Sequence, residues 1–174
     1  MTHIERDIMS ANVNNERDNG FRFSHIGLCV SDMERAVAFY RDGLGFTEGI
    51  ALPLNDEHRD LVGVDDGVEL RGRAQYVRLD GLLLELIEME SPESVPASAH
   101  AVRPMHHRGM THLSLHVDDI DSAIETLTTH GGTYLEQTRL DLEWPETSGV
   151  CLFCLDPDGN RVELMHFTNK VDFG

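Results

Sequence analysis

The sequence is short of cysteines, basic residues and long apolar runs, and each shortage excludes a class of protein. Three cysteines among 174 residues are too few for a disulfide framework, so we expect a protein of the reducing cytoplasm. Fourteen Lys and Arg against 31 Asp and Glu give a formal charge of -17, which argues against nucleic acid because its phosphates bind basic side chains. No apolar run approaches the length of a membrane span, so no membrane partner is expected.

Two of the cysteines form a C-x-x-C pair at Cys151 and Cys154, a spacing that metal and redox sites also use. The pair lies in a predicted strand, where residues three apart point to opposite faces. We therefore interpret both as core cysteines and expect neither a metal site nor a redox pair there.

One stretch of the sequence occurs twice, and it sets the expected architecture. The copies are HIGLCVSDMERAVAFY, residues 25–40, and HLSLHVDDIDSAIETL, residues 112–127, which align without a gap at an offset of 87 residues. Apolar residues spaced for one helix face recur at matching places, namely Met33, Ala36, Val37 and Tyr40, and Ile120, Ala123, Ile124 and Leu127. Such a repeat predicts two copies of one supersecondary unit.

Each copy opens with a strand whose two faces differ in chemistry. Because side chains alternate across a strand, one face of the two strands is aliphatic, with Ile26, Leu28 and Val30, and Leu113, Leu115 and Val117. The other face is small or polar, with His25, Gly27 and Cys29, and His112, Ser114 and His116. We expect the aliphatic face to pack against the helix and the other face to line a cavity. Ser31 with Glu34, and more weakly Asp118 with Asp121, match the capping pattern of a helix start.

The patterns that follow each repeat predict the order βαβββ twice. In the first half the predicted strands are FTEGIALPLN, ELRGRAQYVRL and LLLELIEM, the last two joined at the hairpin signal Asp80-Gly81. In the second half they are TYLEQT, GVCLFCL and RVELMHF, with a polar loop around Trp144-Pro145. The stretch DEHRDLVGVDDG has no clean period and predicts a loop with a short helical turn.

These elements predict an α+β protein made of two modules. We expect a disordered tail over residues 1–20, a first βαβββ module over 21–90, a linker over 91–109 and a second βαβββ module over 110–168. The linker is long enough for the modules to pair within one chain.

Four side chains stand out by position. His25 and His112 begin equivalent strands, and Glu85 and Glu163 lie in the apolar last strand of each module. An unpaired carboxylate costs on the order of several kcal/mol when it is desolvated, so both glutamates require a partner. A divalent metal held by two imidazoles and two carboxylates provides that partner and leaves room for water or substrate. This ligand set suits Zn, Ni, Co, Mn or Fe(II).

Each of these residues also has a plainer interpretation. A single histidine that opens a strand is more often structural than a metal ligand. Glu85 faces solvent if its strand lies at a sheet edge, and Glu88, on the other face of that strand, competes for its role. The metal hypothesis therefore rests on the conjunction of two repeat-related histidines with one glutamate in each final strand.

The segments that carry these residues resemble the vicinal oxygen chelate superfamily, in particular its glyoxalase I-like and methylmalonyl-CoA epimerase-like members. The superfamily also includes extradiol dioxygenases and fosfomycin resistance enzymes. The resemblance covers residues 22–167 and is carried by SHIGLCVSDMERAVAFYRDGLGF, LLLELIEM, GMTHLSLHVDD and DPDGNRVELMHF. It implies paired modules that curl into a mixed-sheet half-barrel around a metal, with ligand positions at His25, Glu85, His112 and Glu163.

The presence of Glu85 favours the isomerase, epimerase or lyase branch of that superfamily. The implied chemistry is proton abstraction next to a carbonyl, with a metal that polarises the substrate oxygens. By analogy Glu163 is the expected base, and Glu85 the candidate on the opposite face. The acidic loop residues Glu57, Asp60, Asp65 and Asp66 are an alternative source of that second group.

Two further functions stay open at this point. The first is a dioxygenase, in which Fe(II) is bound by His25, His112 and Glu163 alone. The second is a non-catalytic resistance protein that sequesters a drug or metabolite. The insertion at residues 56–72 predicts a specialised small-molecule substrate, and His116 and Cys29 are candidates to line its pocket. We expect a site formed within one chain, and a homodimer.

Overall fold

The computed structural model describes residues 22–95, 104–145 and 147–169, and its first half has the order βαβββ. Strand β1 precedes helix α1, which continues directly into a π-helical turn, and three further strands follow. A 3-10 turn and a one-turn helix, α2, lie between β2 and β3. The bounds are β1 Ile26–Val30, α1 Met33–Ala38, π-helical turn Phe39–Gly43, β2 Thr47–Leu54, 3-10 turn Asp56–His58, α2 Arg59–Val62, β3 Arg71–Leu79 and β4 Leu82–Ser91.

The second half repeats this order with one additional short strand. Its elements are β5 Leu113–His116, α3 Ile120–Thr129, β6 Thr133–Tyr134, 3-10 turn Glu136–Thr138, β7 Leu140–Trp144, β8 Thr147–Leu155 and β9 Arg161–Phe167. Within the part of the chain that the structure describes, every helix falls short of the length and hydrophobicity of a membrane span.

Each half forms its own mixed sheet in which the first strand pairs with the last. The first sheet has the order β1-β4-β3-β2, and the second has β5-β9-β8, with both β6 and β7 paired to β8. The first-to-last pairing is parallel in both sheets and places Gly27 opposite Glu85 and Ser114 opposite Glu163. Residues far apart in sequence therefore meet at equivalent places in the two sheets.

The helix-facing sides of both sheets share a single apolar core. Its fully buried members come from both sheets and both helical segments, among them Phe39, Tyr40, Leu84, Leu86, Leu127, Leu152, Val162 and Leu164. The apolar sets of the repeat supply this core, as the sequence predicted. We call the opposite side of each sheet its open face. The open faces carry the small and polar residues of β1 and β5.

A buried carboxylate joins the two halves. Asp156 is only 3% exposed and accepts a hydrogen bond from the hydroxyl of Tyr40, 116 residues away, at 2.9 Å. It also accepts hydrogen bonds from the backbone of Asp158 and from the backbone and side chain of Asn160. Burial raises the pKa of Asp156, and the hydrogen bonds from Asn160 and Tyr40 oppose that rise.

The α+β fold with paired βαβββ modules is confirmed. The tail over residues 1–20 and residues 96–103 of the 91–109 linker lie outside the described residues, so the module boundaries remain predictions. The prediction of a polar loop around Trp144-Pro145 is wrong for Leu140–Trp144, which forms strand β7, while Pro145 lies in the turn after it. β7 is an edge strand held by backbone pairing with β8, and most of its side chains are exposed. The TYLEQT strand is correct only for Thr133–Tyr134.

The helix caps also differ from expectation by one residue. The side chains of Asp32 and Asp119 accept hydrogen bonds from the backbone N–H groups of Arg35 and Ser122, so the two aspartates are the N-caps. The hydroxyl of Ser31 is bonded to Asp158 instead. The repeat thus places the same cap at both helices.

Replacing Tyr40 with Phe tests the link between the two halves. The change leaves a buried carboxylate short of one donor, so we expect the free energy of unfolding to fall by about 1–3 kcal/mol. Denaturant unfolding monitored by circular dichroism measures it. The same substitution at half-buried Tyr134 is the control. Equal stability of the two variants would contradict a structural role for the Tyr40 contact.

Candidate metal centre

The first candidate half-site pairs His25 with Glu85 on the open face of the first sheet. His25 Nε2 lies 3.1 Å from Glu85 Oε2, and His25 Nδ1 lies 2.9 Å from the hydroxyl of Ser24. The preceding serine therefore occupies one ring nitrogen, and the other faces the carboxylate. The side chains are 34% and 19% exposed, so the pair lies at the surface of the chain.

Tyr76 completes this half-site from the neighbouring strand. It lies directly opposite Glu85 in the β3–β4 register and donates a hydrogen bond to Glu85 Oε1 at 2.8 Å. Its ring meets the His25 ring edge-on, with centroids 5.5 Å apart. Burial, and then the bond to Glu85, raises the pKa of Tyr76, so its hydroxyl stays protonated as a donor.

The second half-site repeats this arrangement on the other sheet. His112 Nε2 lies 3.5 Å from Glu163 Oε2, and His112 Nδ1 lies 3.0 Å from the hydroxyl of Thr111. Phe153 lies opposite Glu163 in the β8–β9 register, with its ring centroid 5.3 Å from that of His112. Because Phe153 has no hydroxyl, the donor to Glu163 is Ser114, at 2.7 Å from Oε2.

The donor chemistry of each half-site fits half of a divalent metal site. Metal-bound histidines generally hydrogen-bond through the ring nitrogen that is not a ligand, and Ser24 and Thr111 hold that nitrogen here. Each half-site then presents one imidazole nitrogen and one carboxylate. The two together give the two-histidine, two-carboxylate set that suits Zn, Ni, Co, Mn or Fe(II).

The four predicted ligands do not converge within one chain. In the part of the chain that the structure describes, no group of three or more His, Cys, Asp and Glu side chains is placed to hold a metal ion. The expectation of a site formed inside one chain is therefore not met. The physical reason is the shared core: both sheets use their helix-facing sides to build it, which leaves the half-sites on separate open faces.

Glu88, the competitor of Glu85, has a different role. It points to the helix side of β4, where its carboxylate accepts hydrogen bonds from the backbone of Met33 at 3.1 Å and from Arg73 Nε at 2.5 Å. It therefore anchors the start of α1 and is absent from the open face.

The C-x-x-C cysteines lie on opposite faces as predicted, but only one is in the core. Cys154 is buried, and burial raises its pKa to about 11. Cys151 is half-buried and lies opposite Met165 on the open face, where burial and then the charge of Glu163 raise its pKa. Both thiols are therefore protonated near neutral pH.

The other candidate pocket residues are placed on the open faces by register. Cys29 lies opposite Ile87 on the first sheet, and His116 lies opposite Met165 on the second. The His116 ring is 5.9 Å from that of Phe167.

The insertion forms an open pocket of about 320 Å³ beside the end of β2, lined by Leu54, Asn55, Asp56, Glu57, Glu69, Leu70 and Arg71. Arg59 orders this loop through the carbonyl of Asp65 and the side chain of Asp56. Of the four acidic loop candidates, Glu57 alone lines the pocket. Within the described residues no hydrogen bond or ion pair joins any of the four to a half-site.

Sequence reasoning missed the residues that support the four candidate ligands. Ser24 and Thr111 precede the histidines at matching places in the repeat, and Tyr76 and Phe153 face the glutamates across the adjacent strand. The hairpin at Asp80-Gly81 fixes the first of these registers, so counting outwards from it finds Tyr76. The β8–β9 register, which places Phe153 opposite Glu163, follows a longer turn over residues 156–160, so the sequence predicts it less clearly.

Paired βαβββ modules, each a mixed sheet whose first and last strands pair in parallel, define the glyoxalase-like class of folds. The family model described as the Glyoxalase/Bleomycin resistance protein/Dioxygenase superfamily matches residues 22–164. The chain belongs to this superfamily.

Individual relatives agree with that assignment. The chain is 34% identical over 140 residues to the uncharacterized protein YaeR of Escherichia coli K12, covering 80% of this chain and 92% of the relative. A glyoxalase family protein of Bacillus cereus superposes with a TM-score of 0.70 at 15% identity, covering 86% and 95% of the two chains. One from Enterococcus faecalis gives 0.52 at 21% identity, covering 83% and 96%. The two structures support the fold alone.

Replacing Glu88 with Gln tests whether its carboxylate anchors the start of α1. The change weakens the contacts to Met33 and Arg73, so we expect the free energy of unfolding to fall by about 1–2 kcal/mol. The more exposed Glu90, replaced in the same way, is the control and should change it by less than about 0.5 kcal/mol. Thermal or denaturant unfolding measures both, and similar losses in the two variants would refute the anchoring role.

Proposed function

We propose that the protein is a divalent-metal-dependent enzyme that abstracts a proton next to a carbonyl of a small organic substrate, as an isomerase, epimerase or lyase. The observation that carries the proposal is the repetition of one His–Glu pair at equivalent places in both sheets. Family membership supports the coarse class. The ligand set and the supporting hydroxyls support the metal.

His25, Glu85, His112 and Glu163 would hold the metal. A bound divalent ion supplies Lewis-acid polarisation of the substrate oxygens. The residues of the chain orient the ligands through Ser24 and Thr111 and hold one carboxylate beside each imidazole.

A second copy of the chain would complete each site. The open faces carry the half-sites, and large apolar side chains are exposed around them: Phe23 and Met110 two residues before each histidine, and Leu52 and Leu140 on the edge strands. By register, Leu52 and Leu140 lie on the open faces, beside Ala74 and Cys151. Exposed apolar side chains of this kind indicate an interaction surface. In a two-fold dimer the first half-site of one copy meets the second half-site of the other.

Glu163 is the proposed base. Within the described residues, the Glu163 carboxylate contacts Ser114 and His112, and both contacts involve Oε2. Neither contact involves Oε1. Glu85 has both oxygens in contact with protein groups. A carboxylate that takes and returns a proton needs an accessible oxygen, and this difference supports Glu163 over Glu85.

A dioxygenase is less well supported than proton abstraction. In such an enzyme three side chains bind Fe(II), and the residue at the position of Glu85 is not a ligand. Glu85 instead has the same relation to His25 that Glu163 has to His112. A role for Glu85 as the fourth ligand accounts for that likeness.

Mixing two defective variants tests the site and the dimer together. We expect Glu85→Ala and Glu163→Ala to lose high-affinity Co²⁺ binding when each is alone. After joint unfolding and refolding, each heterodimer has one site with all four ligands, so random assortment restores about a quarter of the wild-type sites. Co²⁺ absorption measures the number of sites.

The matched control mixes Glu85→Ala with His25→Ala. Both changes fall in the first half-site, so no heterodimer contains an intact site and no recovery is expected. Equal recovery in the two mixtures, or none in the first, would exclude a site shared between copies.

Hydrogen exchange in D₂O tests the chemistry. Under anaerobic conditions, we expect the metal-loaded protein to exchange the proton next to the carbonyl of at least one of 2-oxobutyrate, the methylglyoxal–glutathione hemithioacetal and methylmalonyl-CoA. Glu163→Gln should slow that exchange by at least about 100-fold, because a positioned base contributes this much. Proton NMR follows the loss of signal.

Two results would contradict proton abstraction. Oxygen-dependent turnover with consumption of O₂ would support the dioxygenase. A metal-free protein that retains a bound organic ligand through purification would support sequestration.

A further inference from the structure

The two candidate glutamates receive their hydroxyl donors from different strands. Tyr76, on the strand next to Glu85, donates to Oε1, while Oε2 faces His25. Glu163 receives its donor from Ser114, on the strand on its other side, and on the same oxygen that faces His112. The half-sites therefore agree in their ligands and differ in how each carboxylate is held.

The aromatic ring and the hydroxyl of Tyr76 have separable roles. Phe153 occupies the equivalent position opposite Glu163, and both rings contact the histidine of their half-site edge-on, with centroids 5.5 Å and 5.3 Å apart. Packing against the imidazole therefore needs the ring alone. Compared with Phe153, Tyr76 has an additional hydroxyl, and this hydroxyl donates a hydrogen bond to the carboxylate of Glu85.

We propose that the Tyr76 hydroxyl is a positioning group, which fixes the Glu85 carboxylate so that Oε2 and His25 Nε2 are presented together to the cation. This inference rests on the proposed function. The carboxylate of a glutamate rotates about its last bond, and a hydrogen bond to one oxygen restricts that rotation. Partners of this kind typically change metal affinity by 10–100-fold. Tyr76 thereby keeps Glu85 as a ligand, while Glu163 retains an oxygen for proton transfer.

Tyr76→Phe tests the proposal, with Co²⁺ as the probe and the full-length chain freed of metal by a chelator. Phe153 shows that the fold accepts phenylalanine opposite an open-face glutamate. We expect the Kd for Co²⁺ to rise about 10–100-fold and the visible Co²⁺ spectrum at saturation to change, because the carboxylate is released. The melting temperature of the metal-free protein should stay that of the wild type. Tyr134→Phe, the same change on β6, should leave affinity and spectrum unchanged.

A double-mutant cycle with Glu85→Gln shows whether Tyr76 acts through Glu85. If it does, adding Tyr76→Phe to Glu85→Gln changes the Kd by less than about 2-fold, because coupled residues are not additive. A full additional loss in the double variant would overturn the proposal. Wild-type affinity and spectrum in Tyr76→Phe would overturn it too, as would a fall in metal-free melting temperature that accounts for the lost affinity.

Failure of the proposed function gives a different result. In that case the wild-type protein itself binds no Co²⁺ with high affinity, and this inference falls with it. Wild-type binding that is insensitive to Tyr76→Phe removes the inference and leaves the proposed function standing.

Discussion

The parallel pairing of the first strand with the last in each half is the constraint on which the candidate site depends. It sets Gly27 against Glu85 and Ser114 against Glu163. Each histidine lies just before its first strand, so the pairing brings it within 3.1–3.5 Å of a carboxylate far along the chain. A shift of one residue in the register of β4 would turn Glu85 to the helix side of the sheet. On that side Glu88 already accepts hydrogen bonds from Met33 and Arg73. The alternation of side chains along β4 thus places the candidate ligand Glu85 and the structural residue Glu88 on opposite faces of one strand.

The shared core explains why the chain holds two half-sites instead of one whole site. The helix-facing sides of both sheets are used for internal packing, and Tyr40 and Asp156 tie the halves together through a buried hydrogen bond. What remains outside is a pair of open faces with polar centres and apolar borders. An apolar border around a polar centre suits a contact that excludes water, and exclusion of water strengthens the electrostatic interactions within.

The sequence was sufficient for the parts of the fold that depend on a repeated pattern. The offset between His25 and His112 predicted both modules and the faces of β1 and β5, while the two candidate glutamates were identified by their place in the apolar last strand of each module. It did not predict β7, because the five alternating residues Leu140–Trp144 form a short stretch that ends at the turn signal Trp144-Pro145. It also did not predict where the half-sites lie relative to each other. That depends on which sides of the sheets pack together, and the aliphatic pattern is the same for pairing within a chain or between chains.

The differences between the halves bear on the proposed function as well as their likeness does. A two-fold dimer built from identical half-sites would present two equivalent carboxylates, whereas unequal environments give two carboxylates distinct acid and base roles. Here the hydroxyl that reaches the glutamate comes from Tyr76 in one half and from Ser114 in the other, where the corresponding residues are Phe153 and Gly27. Under the proposed function, these two differences restrain the Glu85 carboxylate as a ligand and leave Oε1 of Glu163 outside the contacts with Ser114 and His112. Because a site shared between copies combines one half of each kind, both carboxylates of the pair would occur in every site.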